Sequence, residues 1–272
     1  MSQQVDLKEL TEVLLGQFAA DRRAVRELLK DPALHKQEGL PIAEARERVL
    51  AQMKQIAADG DVYRAFPKRF GGADDPGGYI AKFEELLLGD PSLQIKAGVQ
   101  YGLFAGAILH LGTEYHHDKW LPGALSVELP GSYAMTEIGH GSDVSALATT
   151  ATYDRDAEEF IIHTPYRGAW KEYIGNAACH AHAAVVFARL IIPTAAAEQP
   201  ATDHGVHAFF VPVRNPETSE FLPGVQGEDD GLKGGLAGVD NGRLAFDQVR
   251  IPRTNLLNRF ADVFRGASST VS

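Results

Sequence analysis

The stretch from Tyr133 to Asp143 reads Tyr-Ala-Met-Thr-Glu-Ile-Gly-His-Gly-Ser-Asp. It begins with strand-forming residues and continues into small and hydroxyl-bearing residues that are typical of a turn. The hydroxyl and backbone N–H groups of such a turn can hold the polar edge of a cofactor. A second stretch, Trp170-Lys-Glu-Tyr-Ile-Gly-Asn176, follows at the separation that a strand hairpin needs to bring two loops together. The sequence therefore predicts one site built from both stretches.

Helical periodicity characterises the chain before this stretch. Apolar residues recur at three- and four-residue spacing over Leu7–Leu29, and Pro32 ends this pattern. A second helix is predicted over Pro41–Ala58, because Pro is tolerated in a first helical turn and Asp59-Gly60 stops the pattern. Further helices are predicted over residues 78–89, 97–111 and 113–121.

Short β-rich runs follow Leu129-Pro-Gly131. The candidate strands are residues 132–136, 146–154, 159–165, 182–192, 206–213 and 243–251. Residues 194–204 and 224–238 are predicted to be loops, because they are rich in small, polar or glycine residues. A helical part followed by an antiparallel β part is an α+β fold. The predicted organisation is an all-helical domain at residues 1–130, an antiparallel β-barrel or sandwich domain at 131–258 and a tail at 259–272.

Composition and charge exclude several classes of function. The 272 residues carry a formal net charge of −10, so a broad phosphate-binding surface and a nucleic-acid partner are not expected. No apolar run approaches the roughly 20 residues that span a bilayer, and the N-terminus lacks a signal-peptide pattern. The one cysteine, Cys179, excludes an intrachain disulfide framework. Because the sequence ends in Thr270-Val-Ser272 rather than Ser-Lys-Leu, the expected location is the cytoplasm.

Several blocks of sequence resemble one enzyme superfamily, in the order expected for it. Thr136-Glu-Ile-Gly-His-Gly141 is similar to the flavin-contacting loop of the acyl-CoA dehydrogenase and oxidase superfamily, and its Gly-His-Gly form resembles the oxidase branch. The other similar blocks are Asp90–Phe104, Leu111–Trp120, Gly205–Pro212, Asp240–Asp247 and Arg250–Leu256. Several ordered blocks are far more specific than one short motif.

The resemblance implies FAD as the cofactor and a fatty acyl-CoA as the substrate. The residues that it assigns to the cofactor are Met135, Thr136, Gly141, Ser142, Tyr173, Ile174 and Gly175. By this resemblance Thr136 contacts the isoalloxazine ring, and Ser142 would lie near the flavin phosphates or the acyl-CoA. Gly175 would allow the backbone of the second loop to approach the ring closely.

The same resemblance implies a reaction. In this family a carboxylate removes the α-proton of the acyl-CoA thioester while the β-hydride passes to flavin N5, which gives a trans-2-enoyl-CoA. An oxidase then returns the electrons to oxygen as hydrogen peroxide. The resemblance places the catalytic Glu in a C-terminal helical domain that this sequence is expected to lack, so no catalytic residue is assigned. Glu137 is part of the loop motif and is not assigned as the base, and the isolated chain is expected to be inactive.

Other functions stay open at this point. The chain could be a non-catalytic flavin or acyl-CoA binding module, or one subunit of a split hetero-oligomeric enzyme whose partner chain supplies the missing domain. Full-length relatives are implied to be homo-oligomers, and those of eukaryotes to be peroxisomal. The electron acceptor is also open, because relatives often have Trp and Pro where this chain has Glu172 and Tyr173. The Glu172–Asn176 segment is closer to the Trp-Ile-Thr-Asn loop of the dehydrogenases.

The histidines suggest a different class of site. His180 and His182 lie two residues apart in or beside a predicted strand, and His204 and His207 could join them as metal ligands of a β-rich oxygenase. No suitably placed Glu follows the His-x-His pair, so a metal site is not predicted. Cys179 is not predicted to be a nucleophile activated by His180, because adjacent strand residues point to opposite faces.

Overall fold

The fold is described from a computed structural model, for residues 5–193, 201–264 and 270–271. These residues divide into two compact units. The first unit falls within Met1–Ala97 together with Gly234–Gly238, and the second falls within Gly98–Lys233 together with Val239–Ser272. The candidate site lies in the second unit.

The described residues of the first unit form five α-helices. They are α1 (Leu7–Leu15), α2 (Ala19–Leu28), α3 (Ile42–Ala58), α4 (Pro76–Glu85) and α5 (Pro91–Ala97). The apolar pattern that begins at Leu7 is therefore two helices, because a short 3₁₀ turn at Gly16–Phe18 separates them and Gly16 has a φ of 66°. Asp75 caps α4 through a 2.9 Å hydrogen bond from the Gly78 N–H, and Pro76 occupies the first helical turn.

The second unit begins with helices that precede its strands. A π-helix at Gly98–Ala105 is followed by α6 (Gly106–Leu111) and α7 (Glu114–Ser126). The N-terminus of α7 has a reciprocal cap. The Thr113 side chain accepts a hydrogen bond from the His116 N–H, and the His116 ring accepts one from the Thr113 N–H. The helix extends five residues past the predicted end at 121, to Ser126, and stops where Val127 takes a left-handed φ of 63°.

The strands of the second unit form a mixed sheet and two smaller sheets. They are β1 (Gly131–Ala134), β2 (Thr150–Asp154), β3 (Glu159–His163), β4 (Lys171–Ile174), β5 (Ala183–Ile192), β6 (Thr202–Pro212), β7 (Val225–Asp229), β8 (Gly242–Phe246), β9 (Val249–Pro252), β10 (Ala261–Asp262) and β11 (Thr270–Val271). The six-stranded sheet has the order β1-β5-β2-β3-β9, with β6 on the other edge of β5. The order of the three-stranded sheet is β4-β8-β7, and β10 pairs with β11.

The predicted α+β fold class is confirmed: a helical N-terminal region precedes a curled β domain. The prediction of a purely antiparallel β domain is wrong in one respect, because β1 and β2 both pair with β5 in parallel. Parallel neighbours require long crossover connections. The segment between β1 and β2 contains the first candidate loop, and the one between β2 and β5 contains the second.

One strand prediction and two loop predictions need correction. The predicted strand 243–251 is two strands in different sheets, because Gln248 takes a left-handed φ of 54° between β8 and β9. The predicted loop at 224–238 contains β7, which pairs with β8. The predicted loop at 194–204 overlaps the start of β6 at Thr202, while its residues 194–200 lie outside the described part of the chain.

The core of the second unit lies along β5 and its neighbours. Ala184, Val186 and Phe209 are fully buried in a cluster of apolar side chains drawn from both larger sheets. Burial of this apolar surface is the main favourable term for folding. None of the helices in the described residues has the length and apolar character that crossing a bilayer requires.

Candidate functional site

The two stretches singled out in the sequence lie side by side. The Glu172 N–H donates to the Thr136 carbonyl at 3.0 Å, and the Ile138 N–H donates to the Trp170 carbonyl at 3.0 Å. One step further, the Gly139 N–H donates to the Gly168 carbonyl at 2.8 Å. These bonds form a short backbone ladder between the loop after β1 and the segment that enters β4. Main-chain hydrogen bonds thus hold the two loops side by side.

A cleft of about 340 Å³ lies between the two loops. Its walls are formed by Thr136, Glu137, Ile138, Gly141, Arg167, Glu172, Tyr173 and Arg243. Three of the residues predicted to bind a cofactor, Thr136, Gly141 and Tyr173, therefore share one surface. Clefts of this volume are typical of small-molecule sites.

The other four predicted residues lie beside the cleft and do not line it. The Met135 carbonyl accepts a 3.1 Å hydrogen bond from Lys171 Nζ, so this oxygen points inward. Ile174 is 3% exposed and belongs to the apolar core. Ser142 is exposed in the turn that follows Gly141.

Gly175 is held by packing. Its carbonyl accepts a 2.8 Å hydrogen bond from Ser132 Oγ. A Cβ at this position would lie 2.6 Å from Val99 Cγ2, which is closer than a carbon–carbon contact allows. The absence of a side chain at Gly175 therefore permits close packing against Val99, a reason for glycine that is independent of any ligand.

A buried ion pair stands directly behind the cleft. Lys171 Nζ donates to Glu137 Oε1 at 3.0 Å and to the Phe187 carbonyl at 2.8 Å, and both side chains of the pair are fully buried. Glu137 also accepts hydrogen bonds from the Ala148 N–H at 2.8 Å, the Thr149 N–H at 3.0 Å and the Thr149 hydroxyl at 2.6 Å. Full satisfaction of both groups makes this pair a structural joint between the first loop, β4 and β5.

Burial and pairing act on the ionisation of this pair in opposite directions. Burial disfavours the Glu137 carboxylate, but the Lys171 charge and the three hydrogen bonds together hold the pKa of Glu137 below its usual value. Burial lowers the pKa of Lys171 to about 8 against the opposing effect of Glu137. Glu137 is therefore an ionised, fully occupied carboxylate at neutral pH and is unsuited to remove a proton from a substrate.

Charged side chains on the outer wall of the cleft are paired with one another. Arg243 makes two 2.7 Å hydrogen bonds to the two oxygens of Glu172 and a 3.1 Å bond to Glu228. Arg167 binds the same Glu228 carboxylate at 2.8 and 2.6 Å. The hydrogen bonds from Arg167 and Arg243 hold the pKa of Glu228 below its usual value. Two guanidinium groups thus neutralise two carboxylates along this wall.

Tyr173 has a backbone conformation that is unusual for its type. Its φ is 60°, and 71% of its surface is exposed at the cleft. A residue with a Cβ in a sparsely populated conformation costs about 1–3 kcal/mol, and such residues cluster at functional sites. The conformation also interrupts the alternation of β4, so that Lys171 and Ile174 are both buried while Tyr173 faces out.

The turn after β4, which follows the second loop, is fixed by residues distant in sequence. The Arg214 guanidinium donates to the carbonyls of Ala177 at 2.7 Å and Ala181 at 3.2 Å, and it stacks over the Phe221 ring at 3.9 Å. The His180 N–H donates to Asp240 Oδ2 at 3.0 Å. These contacts give the turn after β4 a defined shape.

The histidines that the sequence suggested as possible metal ligands include His180, which lies beside Asp240. His180 Nδ1 lies 3.3 Å from Asp240 Oδ2, and among the described residues no group of three or more His, Cys, Asp or Glu could hold a metal ion. Cys179 and His180 lie in a turn rather than a strand, so the argument that adjacent strand residues diverge does not apply to them.

Sequence reasoning missed the ionic parts of this site. The sequence identifies Lys171 and Glu172 only as members of the second loop, and Arg243 follows them by about 70 residues in β8. No local pattern predicts the pairing of Arg243 with Glu172. Burial of Lys171 could not be inferred either, because the left-handed Tyr173 breaks the two-residue period of the strand. An arginine in the middle of a β-rich block was the only available signal.

Comparison with known proteins identifies the family. Residues 20–128 match the model of the acyl-CoA dehydrogenase N-terminal domain, and residues 132–249 match that of its middle domain. Peroxisomal acyl-coenzyme A oxidase 2 of Arabidopsis thaliana is 52% identical over 200 residues, which are 74% of this chain and 29% of that protein.

Solved structures agree with this match. Acyl-CoA oxidase 3 of Yarrowia lipolytica superposes with a TM-score of 0.83 at 34% identity, covering 98% of this chain and 37% of that one. Acyl-CoA oxidase-1 of Caenorhabditis elegans, solved in complex with FAD and ATP, superposes with a TM-score of 0.73 at 32% identity, covering 93% of this chain and 36% of that one. The chain thus spans about a third of the length of these relatives. It belongs to the acyl-CoA dehydrogenase family, of which it carries the N-terminal and middle domains.

Proposed function

We propose that this chain forms the part of an FAD-dependent acyl-CoA oxidase that holds the flavin edge beside a fatty acyl-CoA thioester. The observation that carries the proposal is the cleft that Thr136 shares with Gly141 and Tyr173, between two loops joined by backbone hydrogen bonds. When bound, FAD supplies the hydride acceptor for the oxidation to a trans-2-enoyl-CoA. The relatives that bind FAD and act on acyl-CoA support this assignment by their similarity to the chain.

The residues of the cleft fit a flavin edge. The Thr136 hydroxyl can donate a hydrogen bond to the ring edge, where negative charge develops on reduction. The exposed Tyr173 ring offers a flat apolar surface against which a planar ring can pack. Met135 and Gly175 set the backbone around Thr136 and Tyr173, and Ser142 is assigned to the phosphates or to the acyl-CoA.

Removal of the α-proton requires a carboxylate that can accept it. The two carboxylates on the cleft wall, Glu137 and Glu172, are each bound to a cation, Lys171 and Arg243 respectively. We therefore assign proton removal to a carboxylate other than these two. A partner chain or a further domain of a homo-oligomer would supply it, and without that carboxylate the chain acts as a binding module.

The proposal is tested by FAD binding to the full 272-residue chain, measured by equilibrium dialysis. We expect saturable binding, and we expect Thr136→Val to weaken it about tenfold, since loss of one hydrogen bond to the ring edge costs about 1.4 kcal/mol. Thr202→Val, at an exposed position of β6, is the matched control and should bind FAD as the unmodified chain does. Absence of saturable binding, or equal binding by Thr136→Val, would contradict the proposal.

A second measurement separates binding from turnover. The chain is mixed with FAD and a fatty acyl-CoA in air, and hydrogen peroxide is followed. We expect none above background, because both cleft carboxylates are occupied. Steady peroxide formation by the chain alone would show that the base lies within it and would overturn the assignment of that step.

A further inference from the structure

The first unit contains a second cavity. It shares no lining residue with the cleft between the two loops. It has a volume of about 310 Å³ and lies among α2, α3 and α4. Val25, Ile56 and Leu86 form its deep walls and are at most 4% exposed. Ala24 and Asp59 also line it but are exposed, so they lie at its mouth. The cavity is therefore an apolar pocket with an opening to solvent.

One wall of this pocket is aromatic. Tyr79 and Phe83 lie one helical turn apart on α4, with ring centroids 6.2 Å apart and planes inclined by 25°. Burial raises the pKa of Tyr79 to about 12, so its hydroxyl stays protonated at neutral pH. The wall thus offers two ring surfaces and one neutral polar group, which suits an aromatic or alkyl group.

Apart from Asp59 at the mouth, the charged groups near the pocket pair with one another. Lys82 lines the pocket and is 4% exposed, and its Nζ lies 3.8 Å from Asp21 Oδ1. Arg64 Nε lies 3.7 Å from the same Asp21 oxygen and Arg64 also binds Asp75. Two cations and two anions therefore balance at this end. Asp59 is exposed at the mouth, whereas a charge buried deeper in the pocket would lose its hydration without gaining an uncompensated partner, so the pocket selects against ionised groups there.

We propose that this pocket binds a small uncharged apolar molecule, whose aromatic or alkyl group packs against Tyr79 and Phe83. Its volume is about twice that of an engineered apolar cavity of roughly 150 Å³ that holds benzene, and it falls in the range of natural ligand sites. The lining comes from α2, α3, α4 and α5 and from short segments between them, which meet only in the folded unit, so binding would stabilise their mutual packing. The inference does not depend on FAD binding.

The test uses n-butylbenzene as the probe and the full chain, with methyl groups followed by NMR. We expect saturable shifts of the methyl signals of Val25, Leu28 and Ile56 and none in the β-sheet core. Ala24→Phe should fill the mouth and weaken binding at least about tenfold, which corresponds to about 1.4 kcal/mol. Ala58→Phe introduces the same side chain at an exposed position of α3 outside the pocket and should bind the probe as before.

The outcomes are distinct. Far-UV circular dichroism and thermal unfolding verify that both variants fold. Non-saturable shifts, shifts centred elsewhere, or undiminished binding by folded Ala24→Phe would each overturn the proposal. If Ala24→Phe does not fold, competition between n-butylbenzene and sodium butyrate on the unmodified chain decides. Displacement by the anion at similar concentration would contradict selection for an uncharged ligand, and no displacement would support it.

Discussion

Gly141 and Gly175 occupy the two loops of one cleft but are glycines for different physical reasons. A Cβ on Gly141 would meet nothing within 4 Å, whereas one on Gly175 would lie 2.6 Å from Val99 Cγ2. Neither residue has a left-handed φ. Close packing against Val99 therefore requires glycine at position 175. The packing of the folded chain does not require glycine at position 141.

This difference gives a prediction. Gly175→Ala should lower the free energy of unfolding by about 1–3 kcal/mol, the usual cost of overpacking. Gly141→Ala, the matched control, should change it by less than about 0.5 kcal/mol. Adding Val99→Ala to Gly175→Ala should recover part of the loss, since it removes the atom in conflict. Urea unfolding measures all four proteins, and equal effects at both glycines would contradict the assignment.

At this scale the sequence predicts that two loops meet. Thr136 and Tyr173 are expected near one another because their stretches have the separation that a strand hairpin needs, and both residues line one cleft. Their contact with FAD stays a prediction. Val99 and Arg243 could not be foreseen, because each meets the site through tertiary packing that leaves no periodic trace in the sequence.

At the scale of elements, the Glu137–Lys171 pair joins the first loop to two strands. Lys171 belongs to β4, its Nζ reaches the Phe187 carbonyl of β5, and Glu137 binds backbone N–H groups just before β2. The predicted strand pattern missed β4 because it is short and its alternation is interrupted at Tyr173. Strands β5 and β6 were predictable, since their long apolar runs are bounded by turn residues.

Removal of one partner should be far more costly than removal of both. Lys171→Met leaves an ionised carboxylate buried and should lower the free energy of unfolding by about 3–5 kcal/mol. The double variant Glu137→Gln with Lys171→Met should be less destabilised than Lys171→Met alone.

Lys30→Met breaks an exposed pair with Glu27 and is the control, with an expected change within about 0.5 kcal/mol. Urea unfolding at pH 7 is measured for Lys171→Met, Glu137→Gln and the double variant, which together form a double-mutant cycle. A double variant as unstable as the sum of the two single changes would show that Glu137 and Lys171 are not coupled.

At the scale of the whole molecule, each compact unit has its own core and its own buried carboxylate bound to a cation. In the first unit, Glu85 is 5% exposed and binds Arg22 at 3.0 Å and Arg26 at 2.6 Å. These bonds connect α2 to α4. Burial opposes ionisation of Glu85, but Arg26 and Arg22 together hold its pKa below the usual value.

Glu85→Gln should therefore weaken the helical unit selectively. We expect a loss of about 2 kcal/mol at pH 7, the worth of hydrogen bonds to a charged group. Glu84→Gln, at a neighbouring carboxylate that is 52% exposed, should change stability by less than about 0.5 kcal/mol. Hydrogen exchange followed by mass spectrometry should show lower protection within residues 5–97 and unchanged protection in β5. Equal loss in β5 would contradict independent local stability.

The stability difference between the unmodified chain and Glu85→Gln should depend on pH with a defined sign. Because the folded pKa of Glu85 is lowered, the unfolded chain binds its proton first as the pH falls below about 4.5. The stabilisation by Glu85 is full above that pH and is lost as the pH falls through the folded pKa. The stability gap between the unmodified chain and Glu85→Gln should close in that window.

The order of the two halves was predictable from the change in periodicity near residue 130, since helices and strands have different repeats. The family resemblance is confirmed. The parallel pairing of β1 and β2 with β5 was not predictable, because strand order depends on contacts across the whole sheet. The cytoplasmic location and the homo-oligomeric state stay predictions.

The hydrogen bonds that join Arg214 and Asp240 to the turn after β4 affect the order in which the chain can fold. The turn lies 33 to 37 residues before Arg214, and His180 lies 60 residues before Asp240. Closing such intervals costs chain entropy before any bond repays it. On a ribosome the first loop and its helices emerge while the turn after β4 still lacks its anchors. The turn after β4 is therefore fixed late, and the cleft is completed later still, because its wall residue Arg243 follows both anchors along the chain.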